Sequence, residues 1–395
     1  MNHPSCVSSF IRAMMTMATR GFTEVKIHCN CDRSGVFPNA CLPISALIYK
    51  SSELFGVNAK IAKTSVYLQK AYFSNPLDLK ADQILSIDNP LNKVFQFSYK
   101  EGNENQIASI VQAYINYLSK TFPCETGVLD GLTWCINEVM DNVLVHSKME
   151  YGYIMAQFHR KKERLAICVF DTGIGIYNSL IESGHHTPGS ELDSITLALQ
   201  EGVGDGKGQG NGLFGLFQII NSNNGQLSIS TGKSSYMLKK GETKHYDHNP
   251  LISIDNRTTT VDFQLDLSQS IDVIGAFQDI GGFDGFDLRL DNMWEEGLGY
   301  RYDVFENSSG TGTRVSGEEL RLDIMNIIKR VDPPVYLDFS KVQTCSSSFI
   351  DEFLVKLYCE LSPEVFDDLI KVTHINHFIE QLFKRSLKMR LSDIK

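Results

Sequence analysis

The chain has 395 residues, enough for two or three domains with ample core. A net charge of −10 disfavours broad nucleic-acid binding; with no run of eighteen apolar residues and no signal-peptide plan, the expectation is a cytoplasmic protein that does not span a membrane. Nine cysteines without a CxxC pair or metal-ligand spacing, several in apolar runs (Cys135, Cys168, Cys359), read as reduced core thiols.

Before residue 90 the pattern is that of a small α/β unit. Glu24–His28 alternates like a strand, Leu42–Leu54 reads as a helix and Val57–Ala62 as a second strand. Asn75-Pro76, the polar stretch 79–93 and the Asn89-Pro90 turn mark a boundary, and VFQFSY at 94–99 restarts order. Leu132, Cys135, Ile136, Val139, Met140 and Val143 then recur at helical steps. Glu138 and Asn142, four apart on this helix, share a face, and His146 follows on it. A carboxamide oxygen suits Mg²⁺, and a carboxylate can accept a proton from an attacking water or hydroxyl. By itself the pair also fits a solvated helix face.

Residues 165–170, LAICVF, read as a buried strand that ends at Asp171, with Gly173 and Gly175 after it. A buried carboxylate needs a donor, and the exocyclic amine of adenine is one; an ordinary Asp-Thr-Gly turn is the other reading. The connection 177–209 has the length of a functional lid, which would bring His185, His186 and Lys207 towards a phosphate; plain loop residues are the alternative for the two histidines. Gly206, Gly208, Gly210 and Gly212 alternate around Lys207 before an apolar helix opened by Leu213 and Phe214. Glycine-loop N–H groups at a helix start suit phosphate, although the spacing is neither that of a P-loop nor of a Rossmann turn. TTTVDFQLDL at 258–267 alternates as a strand.

GGFDGF at 281–286 reads as a glycine-rich connection. SGEELRLDIMNII then predicts an amphipathic helix opened by a Ser316/Glu319 capping box. VYLDF at 335–339 is a strand, SSSF a capping turn, and Ile350, Phe353, Leu354, Leu357 and Tyr358 a helical stripe. Strand–helix alternation continues through LIKVTHIN and HFIEQLFKRSL, and the basic run 384–395 reads as a solvated helix end.

In this order, INEVMDNVLVHS, DTGIGI and GKGQGNGLFGL resemble the N box and the two glycine boxes of the GHKL ATPase superfamily, over about 90–268. The resemblance implies a GHKL α/β sandwich that binds ATP and Mg²⁺. By position it implies Glu138 as catalytic base and Asn142 as Mg²⁺ ligand. Asp171 would be the adenine-binding acid, with Gly173, Gly175, Lys207, Gly208, Gly210, Gly212 and Leu213 around the nucleotide. Thr259 matches the family's late-strand threonine, with Thr258 where the family has glycine. No dimerising His hairpin, receiver or transducer region is evident, which leaves the small anti-sigma-factor-kinase-like branch. LDFSKV…SSSFIDEF resembles a STAS-like domain of unknown function, over roughly 270–395. In partner-switching systems a GHKL kinase phosphorylates a serine at this turn, which implies Ser347 as acceptor, with Ser346 in place of the usual aspartate. Residues 1–89 resemble a degenerate STAS-like half.

The expected fold is therefore mixed α/β (α+β), with domains at 1–89, 90–268 and 269–395. The expected function is an ATP-dependent switch, by slow hydrolysis or serine phosphorylation, acting on the STAS-like domain or a protein partner, with a homodimer as one possible state. The rival is a nucleotide-regulated binding module without transfer chemistry. Glu138 favours the first, and the missing acceptor aspartate the second.

Overall fold

A computed structural model describes residues 5–393 apart from 30, 32–35, 101, 102, 104, 205–210, 248–257, 278–286 and 333. The protein is mixed α/β and divides into two compact units: residues 1–114 with 131–284, and residues 115–130 with 285–395. The boundary expected at 89/90 falls inside the first unit. GGFDGF at 281–286 lies outside the described residues.

The first unit is built on a seven-stranded antiparallel sheet. In chain order its strands are β3 (Val94–Ser98), β4 (Tyr151–His159), β5 (Arg164–Asp171), β6 (Gln226–Thr231), β7 (Ser234–Lys239), β8 (Glu242–Tyr246) and β9 (Thr259–Asp266). Across the sheet they run β3-β4-β5-β9-β6-β7-β8, so β9 is inserted between β5 and β6. A separate parallel pair joins β1 (Glu24–Cys29) to β2 (Asn58–Thr64). Seven of the eight residues of β5 are buried. The sheet is covered on both faces, so β5 reads as a continuous apolar run rather than an alternation. Cys168 and Phe170 face one side, where they pack with the helices Ser5–Thr19 and Pro38–Tyr49. Val169 and Asp171 face the other. On the first side Asn39 donates to buried Asp262 of β9 at 3.2 Å, and burial pushes that carboxyl up to about 7.

The expected helix 42–54 is two helices, Pro38–Tyr49 and Ser51–Phe55, joined at Lys50. The hairpin β6–β7–β8 carries no sequence-derived expectation. Cys135 and Cys168 are buried, as expected, whereas Cys359 is exposed; it sits on the open side of its helix, and its apolar sequence neighbours supply the buried side.

The second unit holds the sheet β10 (Trp294–Glu295), β11 (Gly299–Asp303), β12 (Val335–Asp338) and β13 (Ile370–Thr373), in that order. The last three strands are parallel, with Asp303, Asp338 and Thr373 in register at their C-terminal ends. The helices Arg314–Ile327, Ser347–Leu361 (with a π turn at Asp351–Val355) and His377–Asp393 cover it. Gly317 lets two of them close: a Cβ there would lie 2.7 Å from the Phe349 carbonyl oxygen.

The capping box expected at Ser316 is not formed. The helix starts earlier, with Thr313 as N-cap accepting from Ser316 N at 3.2 Å, and Ser316 is fully buried. Glu319 is taken up by Ser309. In the basic C-terminal run, Arg390 is held by Asp351 at 2.7 Å and Lys384 by Glu380 at 2.5 Å, so its charges are partly paired. Among the described residues, no helix is long and apolar enough to cross a membrane.

Candidate functional site

A cavity of about 380 Å³ opens in the first unit between the sheet and three helices. Its floor is Val169, Asp171, Thr259 and Val261 of β5 and β9. One wall is the helix Val128–His146, which presents Trp134, Glu138, Asn142 and His146 at four-residue steps. The helices Gly175–Ser183 and Gly212–Ser222 complete it with Gly175, Ile176, Ser179, Leu180, Gly212 and Leu213.

Asp171 marks one end. It lies opposite Thr259 in the β5–β9 register, and Thr259 in turn lies opposite Thr231 of β6. The Asp171 carboxylate accepts the Gly173 N–H at 2.7 Å and the Thr259 hydroxyl. Burial raises its pKa to about 7, against the pull of those two bonds. A carboxylate has about four acceptor sites, so this one keeps capacity for a further donor from within the cavity.

The turn after Asp171 is fixed by contact with the end of the helix Val128–His146. Ile174 N donates to Ser147 O at 3.0 Å, and Thr258 N to Gly173 O at 3.1 Å. A Cβ on Gly173 would lie 2.3 Å from Ser147 O, so glycine is required here by close approach to backbone. Gly173→Ala is expected to lower thermal stability by about 1–3 kcal/mol, read as a fall in melting temperature; an unchanged transition would mean that the turn is not held against Ser147. Gly175 follows at φ +78 and lines the cavity. Thr258, where the family resemblance places glycine, is buried at φ 76, a conformation costly for a β-branched residue. The backbone at Thr258 is thus one that glycine would adopt without that cost.

Glu138, Asn142 and Gly212 mark the other end. A Cβ on Gly212 would sit 2.4 Å from Glu138 Oε2 and 3.2 Å from Asn142 Nδ2, so the glycine brings the start of the helix Gly212–Ser222 directly onto both side chains. Asn142 Nδ2 is buried and, among the described residues, has no hydrogen-bond partner. Burial, and secondarily the charge of Asp141, raises the Glu138 carboxyl above its ordinary range. Asp141 itself accepts from the Tyr99 hydroxyl.

The structure therefore brings Glu138, Asn142, Asp171, Gly175, Gly212, Leu213 and Thr259 to one cavity, with Gly173 directly behind it. His146 also lines it, and His185 and His186 do not. Gly206, Lys207, Gly208 and Gly210 lie outside the described residues. Two wall residues were missed from sequence. Trp134 and Phe277 meet with ring centroids 4.6 Å apart and clamp Gly215, whose Cβ would fall 2.4 Å from the Trp134 ring and 2.7 Å from Phe277. Trp134 had a signal, since it stands one turn before Glu138. Phe277 had none.

In the second unit Ser346 is the N-cap of the helix Ser347–Ile350, accepting from Phe349 N at 3.0 Å. Ser347 is exposed at the first helical position. Metal-ligating groups of three or more His, Cys, Asp or Glu do not occur among the described residues. No curated protein matches the chain. Residues 316–378, which carry Ser347 and the strands β12 and β13, match the family model of a STAS-like domain of unknown function.

Proposed function

We infer that the first unit is a GHKL-type site for ATP with Mg²⁺, and that the chain is an ATP-dependent switch acting on its STAS-like domain or on a protein partner. One observation carries this reading. A single cavity has a buried, under-donated carboxylate at one end and a carboxylate–carboxamide pair against a helix N-terminus at the other. The first end suits adenine: Asp171 would accept from the exocyclic amine, with the Thr259 hydroxyl fixing its orientation. The second suits phosphates, because the N-terminus of an eleven-residue helix offers N–H groups and a favourable dipole.

The residues present also fit Mg²⁺. Turning the Asn142 carboxamide about its axis exchanges its unpartnered N–H end for its oxygen. Bound there, Mg²⁺ would neutralise phosphate charge and orient the terminal phosphoryl group. Glu138 would hold the proton removed from the attacking water or hydroxyl, and its raised pKa brings it nearer to that task at neutral pH. Incubation with γ-labelled ATP, followed by analysis of free phosphate, phosphoprotein and unreacted nucleotide, separates hydrolysis, transfer and mere binding. Binding with unreacted ATP would favour the nucleotide-regulated module without transfer chemistry.

Affinity should depend on pH with a defined sign. Asp171 has a pKa of about 7 when the site is free, and its ionised form is the better acceptor for an amine. ATP affinity is expected to rise with pH and to level off above about 7, with proton release on binding seen by calorimetry in buffers of different ionisation enthalpy. Affinity that falls with rising pH would contradict the Asp171–amine contact.

A further inference from the structure

The second unit carries an ordered histidine–carboxylate pair that neither the site above nor the capping serine uses. His374 directly follows β13, and Asp338 ends β12, its neighbour in the parallel sheet. Asp338 is 1 % exposed. Its Oδ1 takes the His374 Nδ1 at 2.8 Å, and its Oδ2 takes the Arg301 Nε at 2.9 Å. Ser340 adds its backbone N–H and its hydroxyl, each at 2.9 Å. Burial alone would raise the Asp338 carboxyl, but Arg301, Ser340 and His374 together hold it well below the ordinary carboxylate range, so it remains an anion. An anion on Nδ1 fixes the tautomer with the proton on Nδ1 and leaves the Nε2 lone pair pointing away.

The histidine side chain is nevertheless 68 % exposed. Its backbone is at φ 53, the left-handed region that a residue with a Cβ enters at a cost. A strained backbone and a buried anion thus hold an imidazole most of whose surface is exposed to solvent. Strain of this kind concentrates at functional sites. The position, at the carboxyl ends of parallel strands, is where open α/β sheets place their chemistry.

We propose that His374 Nε2 is a phosphoryl-acceptor site of the STAS-like domain, with a nucleoside triphosphate as donor. This rests on the ATP-site reading for the source of the phosphate, and the first unit of the same chain or of another copy can supply it. The Nε2 lone pair forms a bond to the γ-phosphorus while the bond from that phosphorus to the β,γ-bridging oxygen breaks. The electron pair leaves with the nucleoside diphosphate. The Nδ1 proton stays on the ring, and Asp338 offsets the positive charge that develops there. A serine at position 347, by contrast, must also lose its hydroxyl proton to a base.

The test uses the full chain, γ-labelled ATP and two substitutions, His374→Asn, whose side chain tolerates the left-handed backbone, and Ser347→Ala. Nucleotide binding is measured in parallel by calorimetry. The expected label is acid-labile and alkali-stable, persists in Ser347→Ala and is lost in His374→Asn while both variants bind ATP like the parent. An acid-stable label, a label that persists in His374→Asn, or ATP binding with no label overturns the proposal. A second arm bypasses the first unit: phosphoramidate, a small phosphoryl donor, is added directly and the modified histidines are mapped by mass spectrometry at neutral pH. His374 is expected to react first among the ten histidines. If ATP does not bind, the ATP-site reading fails and this arm alone decides, reaction no faster than at His185 counting against His374.

Discussion

Replacing Asp171 by Asn is expected to raise the melting temperature of the nucleotide-free protein while removing most of its affinity for ATP. Opposite signs are expected because the carboxylate whose burial costs the free protein stability is the one that would accept from adenine. Burial moves this carboxyl from 3.8 to about 7 in the folded chain. For a group raised in this way, the stability it contributes is complete below the unfolded value of 3.8, declines as pH rises, and is lost by about 7. At pH 7 and above the folded state therefore carries a desolvation cost of at most about 4 kcal/mol, since one pKa unit is about 1.4 kcal/mol. Asparagine removes that cost and can keep the Gly173 N–H through its oxygen, while its N–H₂ end can donate to the Thr259 hydroxyl. The same N–H₂ group is then the wrong partner for an amine, at a loss of about 10- to 100-fold in ATP affinity. Thermal melts from pH 4 to 8 together with calorimetry check both halves, and a variant that is less stable across this range would show that Asp171 serves the fold instead.

Glu138→Gln should leave ATP binding close to wild type and reduce turnover by roughly two to four orders of magnitude, the usual contribution of a general base. Glutamine is the informative choice. Gly212 packs its backbone against the Glu138 carboxylate, so an isosteric amide preserves the helix start, whereas alanine would open a gap beneath it. Phosphate release and calorimetry on the same preparation separate the two quantities. Equal release rates in both proteins would make Glu138 a packing residue and leave nucleotide-regulated binding as the better description.

The parts of the site legible in sequence are those with local periodicity. The helix Val128–His146 follows from its apolar steps, and the four-residue spacing of Glu138 and Asn142 alone puts both on one face. Asp171 stands out because an apolar run stops at it. What joins these segments is long-range. Thr259 meets Asp171 because β9 inserts beside β5, a pairing across 88 positions that no local pattern encodes. Phe277 reaches Trp134 through tertiary packing alone.

The first 89 residues looked separable because they carry their own strand–helix–strand pattern. Their helices nevertheless pack on the sheet, and the part-buried Asn39–Asp262 hydrogen bond ties positions 223 apart. At Ser316 local chemistry misled: Thr313 offers a cap of the same kind three residues earlier, and burial of Ser316 against the neighbouring helix decides between them. His374 gave no signal in the sequence, since its meaning lies in a backbone angle and in a carboxylate 36 positions away.

Whether the first unit holds ATP is the decisive question. Calorimetric titration of the full chain with ATP in the presence of Mg²⁺, with ATP under chelation, and with GTP answers this. The prediction is saturable binding at one site per chain, weaker when Mg²⁺ is removed, and a preference for ATP, because the Asp171 carboxylate would accept from the adenine amine and would be opposed by the oxygen that guanine presents there. No saturable heat, or equal binding of ATP and GTP with no dependence on Mg²⁺, would contradict it.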